Sequence, residues 1–197
     1  MRKLKNEMIV FLNNALEKNG LAQGHIKNKN ARGLMVEAAK VCVGQREATG
    51  KNDGFFVELA QKTVDGAAEG EPWCMAFVQT MIAYAELKTG IISPLAATEH
   101  CQTLWAKTQD VQKVKNIPLA GAIVIWKYGN TSNGHTGIVL DCDGNEFSCV
   151  EGNASGYMVP VTNEIKNVNR NGNGVFYTRR SKFGSGDMKV LGFIKPF

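Results

Sequence analysis

The chain has 197 residues, with 44% hydrophobic and 21% charged side chains, which argues against two full domains and excludes disordered and collagen-like classes. Its formal charge of +5 is uneven: residues 1–32 carry seven basic and two acidic side chains, 33–162 nine and fourteen, and 163–197 seven and two. Basic ends attract polyanions without choosing among them, and no arginine-rich run or nucleic-acid motif turns this into a specific nucleic-acid partner.

In chain order, Leu4, Met8, Phe11, Leu12, Ala15 and Leu16 recur at spacings of three and four, which predicts an amphipathic first helix ending near Asn19-Gly20. One apolar face favours a core-covering role over a targeting or surface-binding arm. Within it, Met8 to Leu12 is cut off by Asn13-Asn14 with no small-residue cleavage site, so no secretory signal is expected, and no run reaches transmembrane length. Gly20 to Gly33 is polar and basic and reads as a connector, giving the division 1–32 (basic helix and connector) and 33–197 (main domain). Helices are then predicted from Leu34 to Val43 and from Phe55 to Lys62. A third, nearly apolar all round, runs from Met75 to Lys88, entered through Pro72 and stopped at Gly90.

After a polar helical stretch at 99–110 the pattern turns to short β-like runs at 121–127, 135–142, 146–153, 174–180 and 189–195. Asp143-Gly144-Asn145 and the Asn/Gly-rich stretch 167–174 supply turns. Helices first and strands after predict an α+β fold with an antiparallel sheet.

The five cysteines, at 42, 74, 101, 142 and 149, are odd in number and contain no CxxC pair, so neither a complete disulfide framework nor a zinc ribbon is indicated. Cys74 opens the most apolar helix, where unpaired N–H groups and the helix dipole favour a thiolate and could hold an oxyanion. It is the leading nucleophile, with Cys149 as rival. Of the three histidines, His25 lies in the connector and His100 beside Cys101 on a helix where neighbours diverge, which leaves His135, at the start of an apolar strand, as the base.

The next strand offers Glu151 and Asn153 to orient the imidazole. With a three-residue loop Asp143–Asn145, Cys142 pairs with Glu146, Gly137 with Glu151 and His135 with Asn153, all on one face. A two-residue loop without a bulge would put His135 and Glu151 on opposite faces. Gly137 leaves room beside the imidazole.

Three blocks, Glu71-Pro72-Trp73-Cys74-Met75-Ala76-Phe77-Val78, Gly134-His135-Thr136-Gly137-Ile138-Val139 and Val150-Glu151-Gly152-Asn153, resemble the signatures of CHAP domains (cysteine, histidine-dependent amidohydrolase/peptidase). The segment 44–52 and the closing Leu191 to Ile194 resemble the family too, and the likeness covers residues 35–197. The resemblance implies a papain-like cysteine hydrolase fold, helices packed on an antiparallel sheet, and hydrolysis of peptidoglycan amide bonds as an amidase or endopeptidase, as in phage endolysins. It implies Cys74 as nucleophile, His135 as base, and Glu151 and Asn153 as orienting residues.

Some phage members carry an acidic calcium loop ahead of the cysteine. Here Asp65, Glu69 and Glu71 lack its Asp-x-Asp core, and Asp141, Asp143 and Asn145 fit a hairpin turn better than a calcium loop, so no metal or cofactor is expected. The expected partners are peptidoglycan and anionic wall polymers, acted on by a monomer with no membrane insertion. The expected route is synthesis in the cytoplasm without a signal peptide, then release or injection to the wall by a phage lysin or antibacterial effector. The alternatives are a non-catalytic wall-binding or virion structural protein and a cytosolic cysteine protease on the same fold.

Overall fold

The computed structural model describes residues 2–159 and 172–197. Six helices come first: α1 (Asn6–Leu16), α2 (Gly20–Lys27), α3 (Ala31–Val41), α4 (Phe55–Val64), α5 (Cys74–Thr89) and α6 (Cys101–Lys107). Six strands follow: β1 (Lys113–Val114), β2 (Ile123–Tyr128), β3 (Gly134–Asp143), β4 (Glu146–Ala154), β5 (Gly174–Ser181) and β6 (Met188–Ile194). The strands form one antiparallel sheet in the order β1-β6-β2-β3-β4-β5. This is the α+β architecture of a papain-like fold. Among the described residues no helix is long and apolar enough to cross a membrane.

α1 lays Met8, Leu12 and Leu16, one face at intervals of four, into the main core beside α3 and α4. Its polar side is tied in as well: the Tyr84 hydroxyl of α5 donates to Asn13 Oδ1 at 3.0 Å.

The stretch 20–33, expected as a connector, is instead α2 and the first turn of α3. Asn19 Oδ1 accepts from the Ala22 N–H at 3.0 Å and Asn30 Oδ1 from the Gly33 N–H at 2.9 Å. Asparagines that suggest a loop by composition are here helix N-caps. α5 is buried almost all round, and Gly90 ends it at φ +73°, returning its N–H to the Glu86 carbonyl at 2.9 Å. The helix begins two residues after Pro72, because Trp73 is pinned by its indole and serves as the cap residue.

The sheet divides the apolar interior in two. Ile123, Ile125, Ile138 and Val150 face the helices, whereas Val124, Trp126, Val139, Phe147, Cys149 and Phe193 make a second cluster. Phe147 on β4 and Phe193 on β6 have two strands, β2 and β3, between them in the sheet, yet their rings are 5.3 Å apart edge to face. The sheet therefore curls around this cluster.

The β3–β4 hairpin corrects the expected loop and keeps its consequence. Asp143 stands opposite Glu146, so the turn has two residues, Gly144 and Asn145, with Gly144 at φ +62°. A bulge between Val139 and Asp141 then shifts the ladder by one and brings Ile138 opposite Val150. That is the register a three-residue loop would have set.

Candidate active site

Cys74 is the first residue of α5, and the preceding Trp73 is fixed by its indole N–H donating to Glu47 Oε1 at 2.9 Å. Glu47 Oε2 in turn accepts from the Asn52 N–H at 3.1 Å, which ties the loop after α3 to the start of α5. β4 presses against the same first turn at Gly152, where a Cβ would stand 2.6 Å from Phe77 Cβ and 3.0 Å from the Trp73 ring. A bare glycine is required there. This close approach brings β4 up to the thiol's helix.

His135, near the start of β3, is buried, and its Nε2 lies 2.8 Å from Glu151 Oε2. That leaves Nδ1 as the ring nitrogen available to the thiol. The imidazole stacks on Trp126, its partner across β2, with ring centroids 5.6 Å apart and planes 25° apart. Gly137 is needed beneath this pair, since a Cβ there would come within 2.6 Å of Glu151 Cγ. The room it leaves serves the glutamate stem rather than the imidazole.

Glu151 is fully buried and has three partners. Besides His135 it accepts from the Thr178 hydroxyl and from the Arg180 guanidinium, whose Nε reaches Oε1 at 2.8 Å while Nη2 reaches Oε2. The guanidinium also lies over the Trp126 ring, 5.2 Å from its centroid. Thr178 and Arg180 alternate inward along β5. They were missed in the sequence, although an arginine in the inward set of a half-buried strand signals a buried partner.

Electrostatics follow from these contacts. Burial alone would raise the Glu151 pKa, but the charge and hydrogen bonds of Arg180, then those of His135, hold it well below the usual carboxylate range. Burial pushes His135 down, and the neighbouring Cys74 and Glu151 outweigh it and raise the imidazole to about 9. For Cys74 the largest influence is Cys101, whose Sγ lies 3.9 Å away. Burial opposes it, and His135 and the Met75 N–H add to it, so the thiol lies well below its ordinary value. The arrangement stores a thiolate beside an imidazolium, itself backed by a carboxylate that cannot readily take the proton.

Asn153 lies on a second irregularity, where the β4–β5 register shifts between Glu151 and Ala154, and its backbone is left-handed at φ +51°. The ladder does not pair it with His135, and the imidazole Nε2 is bonded to Glu151 Oε2 instead. Asn153 instead lines a cleft of about 210 Å³ with Cys74, His135, Glu47, Asn52 and Pro72. Its Oδ1 is buried and among the described residues has no partner. Part of the Asn/Gly-rich stretch expected as a turn, 167–171, lies outside the described residues.

The rival groups sit elsewhere. His25 contacts Asn30 through Nδ1 at 3.2 Å, and His100 caps α6 by accepting from the Thr103 N–H at 3.3 Å. Cys149 shares the Glu151 face but lies in the second apolar cluster, where burial and then the Glu151 charge push its thiol well up. In the acidic loop, Asp65 accepts from the Ala67 N–H at 2.8 Å and Glu71 from the Glu69 N–H at 2.7 Å. Their side chains close turns of the loop itself. Among the described residues no three His, Cys, Asp or Glu side chains gather in a metal-holding group.

Residues 66–153 match the family model of the CHAP domain. No curated protein matches the sequence. The matched stretch begins ahead of α5 and ends at Asn153, so it holds Cys74, His135, Glu151 and Asn153 and leaves Thr178 and Arg180 outside. The likeness to the CHAP domain, a family of amidohydrolases and peptidases, thus covers just under half of the chain and includes all four of these residues.

Proposed function

We propose that this protein is a CHAP-type peptidoglycan hydrolase that cleaves a wall amide bond through a thioester on Cys74. The observation that carries the reading is the buried His135–Glu151 pair at 2.8 Å, set beside a thiol at the start of a helix. The Cys74 thiolate adds to the amide carbonyl, and the oxyanion is met by N–H groups of the first turn of α5. His135 gives its proton to the leaving amine as the C–N bond breaks. It then takes a proton from water, whose hydroxide attacks the thioester and expels the Cys74 thiolate; the product acid loses its proton to solvent as a carboxylate, and the thiolate–imidazolium pair is restored.

Glu151 keeps the imidazole oriented and charged, Arg180 and Thr178 hold Glu151, and Asn153 offers its amide oxygen to substrate in the cleft. We place the action at the bacterial wall, as a lysin or an antibacterial effector. Mass spectrometry of fragments released from purified peptidoglycan tests this. New amine and carboxylate ends from the native chain, absent with Cys74→Ala, support it and identify the bond as amidase or endopeptidase. Intact muropeptides after incubation with the native chain would overturn it.

A further inference from the structure

Cys101 has no part in the acyl-transfer steps above, yet it is buried at the first residue of α6 with its Sγ 3.9 Å from Cys74 Sγ. Its place depends on a second glycine: a Cβ on Gly134, the residue before His135, would stand 2.9 Å from Cys101 Cβ. The cleft is lined by Cys74 and not by Cys101. A small solute entering the cleft therefore meets Cys74 first, with Cys101 behind it.

We propose that Cys74 and Cys101 are a covalent modification site at which a hydroperoxide links the two sulfurs in a disulfide and reversibly blocks the nucleophile. The inference rests on the reading of Cys74 as nucleophile. The Cys74 thiolate attacks the terminal oxygen of the hydroperoxide, the O–O bond breaks, and the departing alkoxide or hydroxide takes the His135 proton, so that a sulfenic acid and an alcohol, or water, result beside a neutral imidazole. The Cys101 sulfur then attacks the Cys74 sulfur. The S–S bond forms, the S–O bond breaks, and hydroxide leaves with the Cys101 proton as water, so two thiols are oxidised by two electrons and one peroxide is reduced. The 3.9 Å separation must close to the bond length of about 2.05 Å, a side-chain movement of roughly 2 Å.

The two thiols differ in the sense this order requires. Cys74 is lowered well below its ordinary value, whereas its contact with Cys74, then burial, push Cys101 well above. The first is the attacking thiolate and the second keeps its proton until the sulfenic acid needs a leaving group. Cys42 and Cys149 are buried elsewhere and pushed up by burial, and Cys142 is exposed on the hairpin.

The test treats the full chain with hydrogen peroxide, alkylates free thiols and maps peptides by mass without reduction. The expected product is a Cys74–Cys101 cross-linked peptide, with hydrolysis reduced about tenfold or more and recovered on adding dithiothreitol. Cys101→Ala should lose hydrolysis to peroxide and recover little of its own starting rate, because the sulfenic acid proceeds to sulfinic acid. Recovery is scored against each variant's untreated rate, since Cys101 also touches Cys74. Cys74 oxidised to sulfinic acid in the native chain with no cross-link, or equal recovery in Cys101→Ala, would overturn the proposal. The cross-link is read by mass, so a wrong nucleophile assignment, exposed by hydrolysis surviving in Cys74→Ala, is told apart from a failed cross-link.

Discussion

The two faces of the curled sheet are built of opposite material. Toward the helices, Ile123, Ile125, Ile138 and Val150 merge into a core that α1, α3, α4 and α5 share. On the other face Trp126, Phe147 and Phe193 surround a line of buried polar groups, His135, Glu151, Thr178 and Arg180. An apolar contact is lost by degrees, because neighbouring side chains relax toward a missing methyl group. A buried charge pair fails as a unit, because removing one partner leaves the other desolvated and unpaired. The helical face should therefore absorb substitution, while the polar face couples stability to chemistry.

The largest expected effect on rate comes with almost none on fold. Cys74→Ala deletes the sulfur but leaves the first turn of α5 and the Trp73–Glu47 bond in place. Hydrolysis of purified walls should fall to background while the melting temperature stays close to that of the native chain. Residual hydrolysis that is still sensitive to thiol alkylation would move the nucleophile to another cysteine.

Arg180→Met should damage both. The Glu151 carboxylate would lose its main countercharge, and breaking a buried pair of this kind costs about 3–5 kcal/mol. Glu151 would also take up a proton at higher pH, so the acid limb of the rate profile should move toward neutrality. A merely structural loss would leave that limb where it was. Arg180→Lys restores the charge without the two-point hold and should recover part of the stability. By contrast, Ile138→Val on the helical face should cost about 0.5–1.5 kcal/mol and leave the profile unmoved. Equal losses for Arg180→Met and Ile138→Val in denaturant unfolding would erase the distinction between the faces.

The pH dependence sharpens the same contrast. His135 is raised from 6.5 to about 9, so its stabilising protonated form is fully present below its ordinary value and is lost as pH rises through about 9. Glu151 is depressed, so its contribution is present above its ordinary value of 4.5 and is lost as pH falls through its lower folded value. Hydrolysis, which uses the thiolate–imidazolium pair, should therefore hold through neutrality and decline above about pH 9. A decline centred near 6.5 would mean that His135 does not share its proton with Cys74 and Glu151.

Much of this was legible in the sequence where the pattern was regular. The apolar circumference of α5, the stripe of α1 and the β runs after residue 121 carry their periods openly. The juxtaposition of His135 with Glu151 was legible too, though by another route than the one structure uses. A two-residue turn and a bulge reach the register assigned to a three-residue loop, because side-chain alternation fixes net register but not how it is reached.

What escaped has physical causes. α2 hid because its Asn caps suit loops equally well. Arg180 and Thr178 hid because a charged strand residue reads as solvent-facing until a buried carboxylate is found across β4–β5. The sulfur contact between Cys74 and Cys101 spans 27 residues between two helix starts, and no local pattern encodes it.

The smallest expected effect belongs to the basic N-terminal residues, where the question is whether charge alone holds the protein on an anionic wall. Lys27, Lys29 and Arg32 all stand exposed in or beside α2 and the start of α3. They are not equivalent, because a Cβ on Gly121 would meet Arg32 Cγ at 2.5 Å, which places the Arg32 stem against the turn before β2. Replacing Arg32 would confound charge with packing. Lys18, exposed at the end of α1, is the better third position.

A chain with Lys18, Lys27 and Lys29 changed to Glu should keep its melting temperature and bind purified walls more weakly at low salt. The difference from the native chain should shrink as ionic strength rises and the screening length falls to about 8 Å near physiological salt. Since α1 is fixed into the core by Met8, Leu12 and Leu16, a wall-binding role for this end can act only through its polar side. Unchanged wall binding by a stably folded triple variant would therefore leave the N-terminal helices as a cover for the apolar face and nothing more.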